Sequence, residues 1–209
     1  MKWLETWLHE ATAWLLPVVL LALAVLVATT LLAFGGFLRE ALGRRAALRA
    51  WQSGWPALRD PSRPRRERWQ AFTATRCGPG LLAVLAARGA DGRGTGEDAE
   101  LEELAAAGEA QAAALVARSN VVARAAPTLG LMATLIPMGP ALLSLADDDV
   151  AGLARSLAVA FGATVVGLLV GLLRSVIGSV RRQWYAADLA AFDAFTEALR
   201  AAPATEAAA

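Results

Sequence analysis

Three long stretches of this chain contain no charged side chain, and this feature limits its possible folds more than any other. The stretches cover residues 11–38, 125–146 and 156–173, and they are 28, 22 and 18 residues long. About 20 consecutive apolar residues suffice for a helix to cross the hydrocarbon core of a bilayer. Backbone polar groups in lipid must be bonded within the chain, which favours helices over irregular structure. We therefore predict an all-α membrane protein with three transmembrane helices.

The composition agrees with a membrane protein and excludes several functional classes. Of the 209 residues, 56% are hydrophobic and 19% are charged, and the mean hydropathy is +0.45. Soluble domains contain about 45–50% apolar and about 25% charged residues, so an ordinary soluble enzyme is excluded. The net charge of +1 argues against a nucleic-acid binder. With one histidine and one cysteine, the sequence predicts no disulfide framework, metal site, cofactor or catalytic residue.

The first apolar run has two interpretations, a signal peptide or a retained membrane helix. The preceding segment MKWLETWLHE carries Glu5 and Glu10 against Lys2, so it lacks the positive charge of a signal peptide. The run is also far longer than the 7–15 residues of a signal-peptide core. Ala22-Leu23-Ala24 resembles a cleavage site but lies in the middle of the run. We expect this run to be retained as a helix.

The distribution of arginines predicts the orientation in the membrane. Segment 39–124 contains 14 of the 20 basic residues, whereas the connection 147–155 contains three aspartates and one arginine. Basic loops stay in the cytoplasm, so segment 39–124 and the C-terminus are predicted inside and the N-terminus outside. We interpret the three aspartates as a solvated turn, since they lack the spaced ligands of a calcium loop. The predicted layout is 1–12 outside, 13–38 membrane, 39–124 cytoplasmic, 125–146 membrane, 147–155 outside, 156–173 membrane, and 174–209 cytoplasmic.

The cytoplasmic parts are predicted to be mainly helical extensions of the spans. Prolines cannot donate a hydrogen bond in a helix interior, so GWPALRDPSRP (54–64) is predicted to break the first extension. The four glycines of RGADGRGTG (88–96) predict a flexible loop. The remaining predicted elements are a helix over 65–77, a helix over 97–124 that continues into the second span, an amphipathic helix over 181–200, and a frayed tail.

No Asp, Glu, Lys, Arg or His lies within any of the three spans. A chain that relayed protons alone would normally carry an ionisable group there, so a proton carrier must come from a partner. Thr134 lies ten residues after Arg124, and Thr164 lies ten residues before Arg174. Both distances are about 15 Å along a helix, which places the two hydroxyls at one depth on antiparallel helices. The alternative is that each hydroxyl bonds back to the carbonyl four residues earlier.

Small residues and prolines surround these threonines. Small side chains at four-residue spacing allow close helix packing in lipid. The predicted packing residues are Gly130, Ala160, Ala163, Gly167 and Gly171. Prolines in a membrane helix bend it or free its carbonyls, and the predicted kink residues are Pro127, Pro137 and Pro140. In the first span, Thr29 and Thr30 are expected to bond back to their own helix.

At these residues the sequence resembles the MotA/TolQ/ExbB proton channel family. The second span reads APTLGLMATLIPMGPAL (126–142) and the third LAVAFGATVVGLLVGL (157–172), similar to the AP-x-x-GL-x-GT and AT-x-x-GL patterns of the ExbB and TolQ branches. The three-span layout with a long loop after the first span is also closest to ExbB and TolQ. The chain departs from the family pattern at Ala133, Pro137, Val159 and Leu173.

The resemblance implies a homopentamer in the prokaryotic inner membrane whose second and third spans line a pore. Two copies of a single-span partner similar to ExbD, TolR or MotB would occupy the pore, and the partner's membrane aspartate would bind the proton. Thr134 and Thr164 match the pore hydroxyls of the family. The leading hypothesis is thus the pore-forming subunit of a proton-driven rotary motor embedded in the lipid bilayer. The alternatives are a non-conducting membrane scaffold and, less favoured, a small-solute transporter subunit.

Overall fold

The computed structural model describes residues 2–60, 62–74, 80–91, 98–146 and 148–201. Every regular element in these residues is an α-helix. The helices are α1 (Lys2–Arg59), α2 (Arg65–Ala74), α3 (Leu81–Asp91), α4 (Asp98–Ala146) and α5 (Val150–Arg200). Three of them, α1, α4 and α5, are long and apolar enough to cross a membrane. The prediction of an all-helical membrane protein with three long apolar helices is confirmed.

Helix α1 is longer than predicted, because it continues through Pro56 to Arg59. The predicted break at residues 54–64 is therefore wrong in its first half. Leu58 is 1% exposed in a hydrophobic core, and Trp55 packs against the same core. Pro56 stands in the last turn of α1 and removes one helical hydrogen bond, the bond to the carbonyl four residues earlier. Packing of the neighbouring side chains outweighs that loss.

The predicted loop over 88–96 is also wrong at its start, because Arg88–Asp91 form the last turn of α3. Gly89, in this last turn, permits a close contact with the side chain of Trp69. A Cβ built on Gly89 would lie 2.8 Å from Cζ2 of Trp69, so only glycine leaves room for the indole ring. Residues 92–96 lie outside the described residues, as do Gly78-Pro79 and the tail from residue 202.

The chain divides into two compact units. Unit 1 comprises Met1–Phe34 and Ala117–Gly178, and unit 2 comprises Gly35–Val116 and Ser179–Ala209. Unit 2 contains the larger hydrophobic core, which centres on a group of aromatic rings. The ring centroids of Phe72 and Phe195 lie 4.7 Å apart, and the ring centroids of Phe72 and Phe192 lie 5.7 Å apart. The predicted amphipathic helix after the third span thus has its aromatic face in a core.

Buried ion pairs join the helical segments of unit 2. Nη2 of Arg44 lies 2.7 Å from Oδ1 of Asp188, and Nη1 donates to Oδ2 at 3.2 Å. Oδ2 also accepts the backbone N–H of Leu81 at 3.3 Å, and the Arg44 guanidinium lies over the Trp184 ring. A second pair joins Glu40 to Arg181, 3.0 Å apart. These carboxylates therefore connect α1, α5 and the start of α3.

Replacing Asp188 with asparagine is expected to lower the free energy of unfolding by about 3 kcal/mol, because it leaves the buried Arg44 charge without its counterion. Asp193→Asn is the matched control, since Asp193 is an exposed carboxylate on the same helix. The control should change stability by no more than about 0.5 kcal/mol. Denaturant unfolding in detergent, followed by circular dichroism, measures both variants. Equal stabilities would contradict a structural role for this pair.

In the described residues of unit 1, a small hydrophobic core lies between α1, α4 and α5. Its buried members are Val19, Leu23, Ala133 and Ala163. Many large apolar side chains on these segments instead face outward. Examples are Leu21 and Leu32 on α1, Leu135 on α4, and Phe161 and Val165 on α5. Such an exposed apolar surface requires lipid or another protein to cover it.

Candidate functional site

Small residues form the contact between α4 and α5 in unit 1. On α4, Ala126 and Ala133 are almost completely buried, and on α5 Ala160 and Ala163 are buried as well. Gly130 lies between the two alanines of α4, Gly167 lies about one turn after Ala163 on α5, and both glycines are buried. Small side chains let two helix backbones approach closely, which is how helices associate in lipid. All five predicted packing residues lie on this part of the two helices.

Two glycines of α5 lie directly against the backbone or a proline ring of α4. A Cβ built on Gly167 would lie 2.7 Å from the carbonyl oxygen of Ala126 and 2.9 Å from Cα of Gly130. A Cβ built on Gly171 would lie 2.6 Å from Cγ of Pro127. Residue numbers rise along one helix as they fall along the other, so the two helices are antiparallel. Neither position has space for a larger residue.

The hydroxyl of Thr164 bonds across this contact. Its Oγ1 donates to the carbonyl oxygen of Gly130 at 3.0 Å and lies 3.4 Å from the carbonyl oxygen of Ala160. The second contact is the bond to its own helix that the alternative interpretation predicts. The first contact joins α5 to α4, and neither the periodicity nor the spacing of the sequence indicates it.

The hydroxyl of Thr134 bonds back to its own helix. Its Oγ1 donates to the carbonyl oxygen of Leu131, three residues earlier, at 2.7 Å. Gly130 faces both Thr164 and Gly167, so Thr134 lies within about one helical turn of Thr164 along the axis. No hydrogen bond between the two hydroxyls occurs in the described residues. The structure thus brings the two threonines to similar heights but gives them different partners.

The three prolines lie inside α4, which continues through all of them as one helix. Pro127 packs against Gly171, Pro137 is buried, and Pro140 is exposed. The ring of Pro127 removes a backbone N–H, which leaves the carbonyl of Ala123 without its usual partner four residues later. A Cβ on Gly171 would lie 3.0 Å from that same carbonyl oxygen. The glycine therefore lets α5 approach where α4 has lost a helical bond.

The residues of this contact also lie in the part of the chain that matches a known protein family. A model of the MotA/TolQ/ExbB proton channel family matches residues 85–193, which is more than half of the chain. This chain belongs to the MotA/TolQ/ExbB family. Comparison with curated proteins and with solved structures gives no match. The matched range contains both threonines, the five packing residues and the three prolines.

Membership in the MotA/TolQ/ExbB family makes this chain a membrane protein of the proton-channel type that serves motors. The family also associates in general with a single-span partner of the ExbD, TolR or MotB kind. The resemblance drawn from the motifs of the second and third spans is thereby confirmed.

One polar contact of this MotA/TolQ/ExbB family member has no signal in the sequence. Nε of Arg174 donates to Oγ1 of Thr30 at 3.0 Å, and both side chains are buried. Thr29 bonds back to Leu26 as predicted, but among the described residues Thr30 makes no such bond, and its hydroxyl accepts from Arg174. Arg174 is the first charge after the third apolar run. The contact therefore joins α1 to α5 at the end of that run.

Asp148 and Asp149 form a turn before α5. Asp148 has a φ of 57°, and Oδ1 of Asp149 accepts the N–H of Gly152 at 2.9 Å, which caps the start of α5. Among the described residues, no group of three or more His, Cys, Asp or Glu side chains could hold a metal ion.

Proposed function

We propose that this chain is the pore-forming subunit of a membrane motor driven by the proton-motive force. Together with a single-span partner it conducts protons and couples their flow to rotation. The observation that carries the proposal is the close α4–α5 contact, in which the hydroxyl of Thr164 meets the backbone of Gly130 inside the range that matches the family.

The absence of charge in the three spans supports a mechanism in which a second subunit supplies the proton-binding group. Residues 11–38, 125–146 and 156–173 contain no group that can take up a proton near neutral pH. An ionisable group within a membrane is the usual proton relay. In this proposal the partner's membrane aspartate carries the proton, and this chain supplies the wall along which the aspartate moves.

Thr134 and Thr164 are the residues that we assign to the proton path. Each hydroxyl donates its hydrogen to a backbone carbonyl, at 2.7 Å and 3.0 Å respectively. A hydroxyl that donates once still has oxygen lone pairs that accept. Both threonines can therefore accept a hydrogen bond from a protonated carboxyl group or a water molecule. Their bonds to backbone carbonyls hold those acceptor positions in a fixed direction.

The assembly that we propose is a homopentamer around two copies of the partner helix, in the inner membrane of a prokaryote. The exposed apolar side chains of α1, α4 and α5 provide surface for lipid and for neighbouring subunits. The arginines of segment 39–124 favour a cytoplasmic location for that segment and for the C-terminus, with the N-terminus outside.

The composition of the complex tests this proposal. We expect the full chain, co-expressed with a single-span partner that has a membrane aspartate, to purify as five copies around two partner helices. Cryo-electron microscopy counts both components directly. A monomer, a tetramer or a pentamer without partner helices would contradict the proposal, and the last of these would favour a non-conducting scaffold.

A further inference from the structure

Unit 2 contains a groove of about 500 Å³ between segments of α1, α3, α4 and α5. Gly36 and Arg39 of α1 and Tyr185 of α5 are among the residues that line it. No residue that lines the groove belongs to the α4–α5 contact of unit 1 that carries the proposed proton path. Its size is within the range of about 300–1,000 Å³ that small-molecule sites occupy.

Positive charge predominates in the lining of this groove. Three arginines from three different helices line it, Arg39, Arg88 and Arg181, against the single carboxylate of Glu40. Nε of Arg181 is bonded to Glu40 at 3.0 Å. Among the described residues, Arg39 and Arg88 form no ion pair. Two guanidinium groups are therefore available to a ligand, and guanidinium forms strong paired hydrogen bonds with phosphate.

The rest of the lining is mainly apolar, which suits an amphiphilic ligand better than a free anion. The apolar members include Leu81, Ala83, Val84 and Leu115. Tyr185 lies beyond the charge-free run of α5, and its burial, aided by the nearby Glu40 carboxylate, raises the pKa of its phenol to about 12. The phenol keeps its proton at neutral pH and is hydrogen-bonded to the Glu40 carboxylate.

Two of the arginines that line the groove lie after the ends of charge-free runs. Arg39 comes directly after run 11–38, and Arg181 comes seven residues after Arg174, about 10 Å along a helix. The headgroup region occupies roughly 5–8 Å on each side of the hydrocarbon core. A helix that crosses the membrane with run 11–38 therefore places Arg39, which lines the groove, at the level of lipid phosphates.

We propose that this groove binds the headgroup of an anionic phospholipid, with Arg39 and Arg88 bonding its phosphate and the apolar wall receiving the glycerol end of the acyl chains. Basic pockets between helices on the cytoplasmic side of membranes recognise such headgroups. The proposal depends on membrane insertion of the chain and does not depend on proton conduction.

Native mass spectrometry of the full chain in mild detergent tests the proposal, with phosphatidylglycerol as the probe and phosphatidylcholine as the zwitterionic comparison. We expect retained phosphatidylglycerol and little phosphatidylcholine. The double variant Arg39→Gln/Arg88→Gln should weaken phosphatidylglycerol binding about tenfold or more, because it removes both free guanidinium groups. Ala87→Phe keeps every charge but narrows the groove, and it should also lose the lipid.

Arg182→Gln is the matched control, since Arg182 is exposed, adjoins Arg181 on the same helix and does not line the groove. Its affinity for phosphatidylglycerol should stay within about twofold of the parent chain.

An equal loss of phosphatidylglycerol binding in the control, or equal retention of both lipids, would show general surface attraction and overturn the proposal. Thermal stabilisation by inorganic phosphate but not by phosphatidylglycerol would also overturn it. Circular dichroism verifies that each variant is folded, and the readout uses this chain alone, so a failure of conduction leaves it unaffected.

Discussion

Replacing Thr164 with valine is expected to lower partner-dependent proton flux about a hundredfold or more. Valine keeps the branched shape but removes the oxygen that accepts from the proton carrier and the bond to Gly130. Positioned groups in proton transfer typically contribute factors of about 10²–10⁴. Thr134→Val should reduce flux in the same way. Proteoliposomes that contain the chain and its partner, with a pH-sensitive dye inside, measure the effect.

Thr128 on α4 is the matched control, because its replacement also removes a threonine hydroxyl but not one that we assign to the proton path. Thr128 is exposed, and its Oγ1 bonds back to the carbonyl of Ala125 at 2.8 Å. Thr128→Val should therefore retain the flux of the parent chain. Thr164→Ser keeps a hydroxyl at this position and should retain much of that flux. Size-exclusion chromatography should show the same assembly for all variants. Parental flux in both Thr134→Val and Thr164→Val would remove these residues from the proton path.

Replacing Gly167 with valine is expected to prevent a stable complex, because its side chain must occupy the position of the α4 backbone. Even a single Cβ would lie 2.7 Å from the Ala126 carbonyl oxygen and 2.9 Å from Cα of Gly130. Backbone atoms in a helix cannot move aside singly, so α4 and α5 must separate. Gly167→Ala should already destabilise the protein by about 1–3 kcal/mol.

Gly162 is the matched control for this substitution. It lies on the same helix five residues earlier, and no atom lies within 4 Å of a Cβ built on it. Gly162→Ala should leave assembly unchanged or stabilise the helix by up to about 1 kcal/mol. Size-exclusion chromatography and thermal unfolding in detergent distinguish the two variants. Identical behaviour of Gly162→Ala and Gly167→Ala would contradict the close α4–α5 packing.

Local sequence patterns were sufficient to predict the helices of the membrane part. The charge-free runs place the apolar segments of α1, α4 and α5, since each backbone group in lipid must bond within its own helix. The spacing of Gly167 and Gly171 also predicts a face that permits close packing. Both signals lie within one helix, where periodicity is visible in the sequence.

Contacts between distant segments could not be predicted in this way. Arg44 and Asp188 are 144 residues apart, as are Thr30 and Arg174, and no periodic pattern links such pairs. The bond from Thr164 to Gly130 likewise depends on the register of two helices. The continuation of α1 through Pro56 depends on a core assembled from several helices. In each case the deciding energy comes from tertiary contacts.

Proton flux through reconstituted membranes tests the central claim most directly, namely that this chain forms a pore wall and a partner carries the proton. Three sets of proteoliposomes contain the chain alone, the single-span partner alone, and both together. We expect flux under an imposed membrane potential only when both are present, and we expect the partner's membrane Asp→Asn variant to abolish it. Flux through this chain alone at the rate of the pair, or no flux through the pair, would contradict the account.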